Sequence, residues 1–180
     1  AVMAGVLLGL LLVAAVEHFD EGLHGPERLA DLIGAPVVAA LGGGDWRALA
    51  SGGEPTEAVR EALASALAHM RGASSVVLAS SADADGAAQV AGALVGLAGA
   101  DGAQDVKIVA LEPGSGLLSA QEMLGEGHAV YVVAHLRETR SDDVVRLARL
   151  ARDLGGEVRG AIATGGPACG AGYFPARMGT

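Results

Sequence analysis

The stretch from Val76 to Val95, VVLASSADADGAAQVAGALV, constrains the fold more than any other part of the chain. A β-branched apolar run ends in a short polar turn that contains glycine. A helix-forming run of Ala, Val and Leu follows. Strand, turn and helix in that order frame a nucleotide-binding loop, in which backbone N–H groups cradle phosphates. A working loop reads G-x-x-x-x-G-K-[ST]. With Gly86 as its last glycine, the first glycine position holds Ser81, the lysine position Ala87 and the hydroxyl position Ala88. Asp83 and Asp85 fall where a triphosphate would lie. The frame is present, and the residues that hold phosphate are not.

The same alternation recurs downstream. Thr56 predicts the cap of a helix running to about Met70, with Glu57 in its first turn. Strands are predicted at Val76–Ser80, Asp105–Leu111, His128–Leu136 and Glu157–Gly165, and helices at Gly86–Leu97 and Ser141–Leu154. In the second helix Val144, Leu147, Ala148 and Ala151 follow the i, i+3, i+4, i+7 spacing of an inward face, and Ser141 is read as its cap. Strands alternating with helices at this spacing imply an α/β fold with a mostly parallel sheet and right-handed crossovers. Hydrophobic residues make up 51% of the chain and aromatics only 3%. The core is therefore expected to be Ala, Val and Leu, as suits helices packed on a parallel sheet.

Upstream, a helix is expected to start near Pro26, a favourable first-turn residue. Gly34 stops it, Pro36 prevents its continuation, and VVAAL (37–41) is a short strand candidate. Gly42 to Pro55, GGGDWRALASGGEP, reads as a linker or loop packed down locally by Trp46. Residues 166–180 are expected to be irregular, and no internal repeat is visible.

The first sixteen residues, AVMAGVLLGLLLVAAV, carry no charge. As a helix they would span roughly 24 Å, against a hydrocarbon core of about 30 Å. They read as the end of a transmembrane helix, and the chain starting at Ala1 reads as part of something longer. A signal peptide would need a basic n-region and a small-residue cleavage site, and neither is visible. A buried soluble helix is the plainer alternative. Gly5 and Gly9 form a small-xxx-small face that would let two membrane helices approach closely, although glycine is also simply common in such helices. The division read from sequence is a membrane helix end at 1–16, a juxtamembrane helix, strand and linker at 17–55, an α/β domain at 56–165 and a tail at 166–180.

Charge and special residues exclude several classes. Twelve basic against 21 acidic residues give a formal net charge of -9, which disfavours non-specific nucleic-acid binding. The single Cys169 precludes an intrachain disulfide, fits a reducing compartment and has no obvious partner base. The five histidines (His18, His24, His69, His128, His135) show no metal-ligand spacing. Gly114-Ser115-Gly116 lacks the frame of a nucleophile elbow.

In open α/β sheets ligands bind beyond the carboxyl ends of the strands. That edge offers Ser80, Ser81, Asp83 and Asp85, then Glu112, then His135 and Arg137, then Thr164. For Asp83 and Asp85 the functional reading is cation binding. The structural reading is helix capping, worth roughly 0.5–2 kcal/mol. A carboxylate there would also occupy the anion position that phosphates need. Two such charges would repel a triphosphate by several kcal/mol in a partly dehydrated site. Ala87 removes the ammonium that would offset them.

The segment LLLVAAVEHFDEGLHGPERLADLIGAPVVAAL, Leu10 to Leu41, resembles a junction in bacterial polysaccharide co-polymerases, the chain-length determinant proteins that continue into a tyrosine-kinase domain. Pro26-Glu27, Leu29, Leu32, Gly34, Pro36 and Val37 match the family's short helix and following strand at the same spacing. The rest looks like a degraded bacterial tyrosine kinase (BY-kinase) domain with a P-loop-NTPase-like sheet. Glu57 and Arg60 match the start of the family's E-x-x-R-x-x-R oligomerisation helix, where Leu63 replaces the second Arg. The family's Asp-x-Asp positions hold Ala110 and Glu112, no separate strand ends in Asp-x-Pro-Pro, and the tyrosine cluster is reduced to Tyr173.

The resemblance implies a membrane-anchored co-polymerase whose cytoplasmic part, residues 17–180, is a pseudokinase at the bacterial inner membrane. It implies no catalytic residue, no cofactor and no metal, because Ser81, Asp83, Asp85, Gly86, Ala87 and Ala88 form a degenerate loop. It implies a homo-oligomer through Glu57, Arg60, Gly5 and Gly9, contacts with the polysaccharide polymerase and export machinery, and lipid around residues 1–16. The alternatives are a divergent ATPase or kinase with non-standard phosphate contacts, and a soluble adaptor that activates a separate kinase.

Overall fold

The structure is a computed structural model that describes residues 23–82, 85–100, 106–113, 122–123 and 128–166. Gly5, Gly9, Asp83, Gly114-Ser115-Gly116, Cys169, Tyr173, the apolar residues 1–16 and the tail beyond Gly166 lie outside the described residues. No helix among the described residues is long and apolar enough to cross a membrane.

The elements run α1 (Pro26–Ile33), β1 (Val37–Gly42), α2 (Gly43–Ala50), α3 (Glu57–Met70), β2 (Ser75–Ser80), α4 (Ala87–Ala100), β3 (Lys107–Leu111), β4 (Ala129–His135), α5 (Ser141–Asp153) and β5 (Glu157–Gly166). The strands form one five-stranded sheet in the order β1-β5-β4-β2-β3. Every pairing is parallel. β3 lies directly against β2, with no strand between them.

Burial on both faces explains why the strands are nearly continuous apolar runs. All six residues of β1 are buried, as are the first six of β4. On one face Leu41, Val76, Leu78, Tyr131 and Ile162 pack against Trp46 of α2, Leu63 and Met70 of α3, and Val90 and Leu94 of α4. On the other, Val37, Val132 and Ala161 pack against Leu29 and Ile33 of α1 and Val144 and Ala148 of α5. The crossovers β1 to β2 and β2 to β3 move one way across the sheet and share the first face. The β4 to β5 crossover moves the other way and uses the second face. Opposite direction on the opposite face keeps one hand throughout, as parallel connections require.

Local chemistry sets the helix ends. Pro26 opens α1, and Gly34 closes it with a left-handed φ of 64°. The Thr56 hydroxyl accepts the Val59 N–H at 3.4 Å as the cap of α3. The same hydroxyl donates to Asp45 Oδ1 at 2.8 Å, which ties α3 to α2.

Two expectations fail. Gly42 to Pro55 is not wholly a loop, because Gly43–Ala50 is helical. Its glycines lower intrinsic helicity, yet Trp46 and Leu49, one turn apart, are both buried against the sheet, and that packing outweighs propensity. Ser141 does not cap α5 either. Arg140 holds the cap position without a side-chain bond, Ser141 is already helical, and Asp142 and Asp143 supply negative charge to the first turn.

Candidate functional site

β2 and β4 lie side by side, but the chain leaves them in opposite directions, β2 toward β3 and β4 toward β5. Their carboxyl ends therefore open a crevice, the usual place for a ligand in a sheet of this kind. The β2–α4 turn, the turn from His135 to Thr139 and the start of α2 surround it.

Asp85 organises the crevice. It is completely buried. Its Oδ2 accepts the N–H groups of Ser81 and Ala82, each at 2.9 Å, and the Ser81 hydroxyl at 3.3 Å. Its Oδ1 accepts the His135 N–H at 2.9 Å and the Thr139 hydroxyl. Its own carbonyl accepts the Thr164 hydroxyl at 3.5 Å. One side chain thus joins the exits of β2 and β4 and the turn before α5, while its main chain reaches β5. A buried carboxylate is tolerable when donors saturate both oxygens, and that is the case here without a cationic partner among the described residues.

The predicted capping role does not hold for Asp85. α4 begins at Ala87, and the Asp85 carboxylate turns back toward β2 rather than onto the first turn of α4. Gly86 produces the reversal with a φ of 71°, a conformation that L side chains rarely adopt. Saturated oxygens also speak against cation binding by Asp85. Among the described residues no group of three or more His, Cys, Asp or Glu side chains could hold a metal ion.

Gly86 is constrained a second time. A Cβ there would fall inside the indole of Trp46, at Cη2 and Cζ2. The aromatic ring of α2 therefore lies directly over Gly86. Gly165 is its counterpart at the end of β5: its φ is 73°, and a Cβ would strike the imidazole of His135.

Between α2 and the His135–Thr139 turn lies a cleft of about 470 Å³. Gly86 and Gly165 bring main chain to it, Trp46 and His135 line it, and Arg47 and Arg137 flank it. Arg137 is the one described non-glycine residue with positive φ, at 81°. The His135 Nδ1 atom is buried without a hydrogen-bond partner, with Glu138 Oε1 at 3.8 Å.

The other predicted site residues lie in different places. Ala87 is buried and Ala88 exposed at the start of α4. Glu57 and Arg60 sit at the start of α3, and neither lines the cleft. Their side chains are 87% and 50% exposed and pair at 3.4 Å, and Arg60 Nε also donates to the Pro55 carbonyl at 3.2 Å. An exposed pair of this kind contributes at most about 0.5 kcal/mol within the chain. Glu112 is exposed after β3.

Sequence reasoning missed Trp46 and Arg47 as site residues, because the glycines around them suggested a loop. The signal was present in the Trp46–Leu49 spacing. It also missed Thr139, whose role depends on a partner 54 residues away. No protein-family model matches the chain, and no curated protein matches it.

Proposed function

We propose that the chain is the non-catalytic cytoplasmic portion of a membrane polysaccharide co-polymerase. Its α/β domain derives from a P-loop kinase and acts in chain-length control and export through oligomerisation and protein contacts. The observation that carries this reading is the position of the Asp85 carboxylate on the Ser81 and Ala82 N–H groups.

In a working loop such N–H groups bind phosphate oxygens. Here a tethered anion of the same chain already holds them. A triphosphate would have to displace it and bury its own charge beside it. Ala87 offers no ammonium to offset that charge, and Ala88 no hydroxyl for Mg²⁺. Phosphoryl transfer relies on positioning and charge neutralisation by those groups. Losing them together with the free amides leaves the frame as scaffold. The direct contact of β3 with β2 fits the same reading, since no separate Asp-x-Pro-Pro strand was found in the sequence.

Incubating the full chain with labelled ATP and Mg²⁺ tests this. The chain and an added tyrosine-containing peptide stay unlabelled on this reading. Label transfer to either favours the divergent-kinase alternative and overturns it.

A further inference from the structure

The cleft at the β2/β4 crevice is lined by two arginines from different elements, Arg47 on α2 and Arg137 on the turn after β4. Among the described residues neither side chain has a hydrogen-bond or ion-pair partner. The chain has only 12 basic residues against 21 acidic ones. Two of the 12 line one cleft, and among the described residues no carboxylate pairs with either.

Arg137 adds a cost that a purely structural residue would not require. Its φ of 81° is unfavourable for any side chain with a Cβ. Glycine would meet the backbone demand at that turn. What arginine adds over glycine is a guanidinium at the mouth of the cleft. The main-chain N–H of Arg137 donates to the Leu23 carbonyl at 3.0 Å, so the turn is held in place independently of the side chain.

We propose that this cleft is a binding site for a phosphate monoester, with Arg47 and Arg137 clamping its dianionic head group. Planar guanidinium forks match phosphate oxygens two at a time, and two of them balance a charge of about -2. A volume of about 470 Å³ leaves space beyond the head group for the esterified organic part. Gly43, Gly86 and Gly165 contribute main chain to the cleft wall, the last two packed beneath the rings of Trp46 and His135. Glu138 shares the wall, and its carboxylate faces His135 Nδ1 at 3.8 Å. That negative group, and Asp85 buried behind Gly86, favour a compact head group over a longer polyphosphate. The site does not depend on the co-polymerase reading.

The test is calorimetric titration of the full chain with phenyl phosphate. Saturable binding displaced by inorganic phosphate is expected, weakened at least about tenfold by Arg47→Gln and by Arg137→Gly. Arg47 is exposed, and glycine suits the left-handed turn at 137, so both variants fold. Melting temperatures at or near that of the parent chain verify this. Absence of saturable binding overturns the proposal, as does binding unchanged in both variants. Equal binding of phenylacetate overturns the assignment to phosphate. Failure here leaves the kinase-dead reading intact, because that reading is tested with MgATP and concerns the Ser81 and Ala82 amides.

Discussion

The main-chain N–H of His135 donates to Oδ1 of Asp85 at 2.9 Å, across 50 residues of sequence. The bond joins the end of β4 to the turn after β2, the two strands whose exits diverge. The opposite oxygen of the same carboxylate holds the Ser81 and Ala82 N–H groups. The carboxylate that occupies those two amides therefore also fastens the carboxyl edge of the sheet.

Asp85→Asn should be costly although it is nearly isosteric. An amide offers one accepting oxygen where the carboxylate offers two, and its NH₂ would face buried N–H donors. Leaving such donors unmet costs about 1–3 kcal/mol each, so a loss of about 3 kcal/mol is expected in urea unfolding. A change below about 1 kcal/mol would show that Asp85 is not the fastener described here.

Gly86→Ala should destabilise by about 2–4 kcal/mol, since it combines a left-handed backbone with a collision against a buried indole. Trp46→Leu in the same chain should relieve the collision but not the backbone strain. The double variant should therefore be less unstable than the sum of the two single changes, a coupling measurable in a double-mutant cycle. Strict additivity would mean that Trp46 does not cover the loop.

Tyr131 supplies a pH signature. Burial raises its phenol pKa above the ordinary value of 10.0, Arg159 opposes the rise, and Glu157 adds to it. Below pH about 10 the phenol is protonated in both states, so its contribution is complete. As pH climbs past that point the unfolded chain sheds the proton first, and stability falls until the folded phenol also ionises. Tyr131→Phe forfeits the bond to the His69 carbonyl, 3.1 Å long, and about 0.5–1.5 kcal/mol with it at neutral pH. It should also flatten the alkaline decline. Equal declines in parent and variant, followed by urea unfolding at several alkaline pH values, would rule this out.

Much of the fold was legible in the sequence. The expected strands agree within one or two residues, and the helix expected at Gly86–Leu97 runs on three residues further, to Ala100, because apolar runs separated by helical periodicity leave few options. The inward face of α5 at Val144, Ala148 and Ala151 follows directly from that periodicity. α2 was hidden because its stability comes from two buried side chains and not from propensity. The candidate site was only half legible. The absence of Lys and Ser/Thr after Gly86 could be read from position alone. The role of Asp85 could not, because its partners at His135 and Thr139 are brought near only by the parallel pairing of β2 and β4.

Self-association gives a prediction outside the crevice. Glu57 and Arg60 project from α3 with 87% and 50% of their side chains exposed. If they mediate assembly, Glu57→Ala should lower the mass of the full chain in light scattering while its melting temperature stays within a degree or two, since exposed substitutions change stability by about 0.5 kcal/mol or less. Unchanged mass would exclude this surface from the oligomer.

Calorimetric titration of the full chain with MgATP bears most directly on the central claim, that the Asp85 carboxylate holds the amides a triphosphate would need. The account predicts no saturable binding in the micromolar range. Micromolar affinity that persists in the Arg47→Gln, Arg137→Gly double variant would place the nucleotide on the Ser81–Gly86 turn and contradict it.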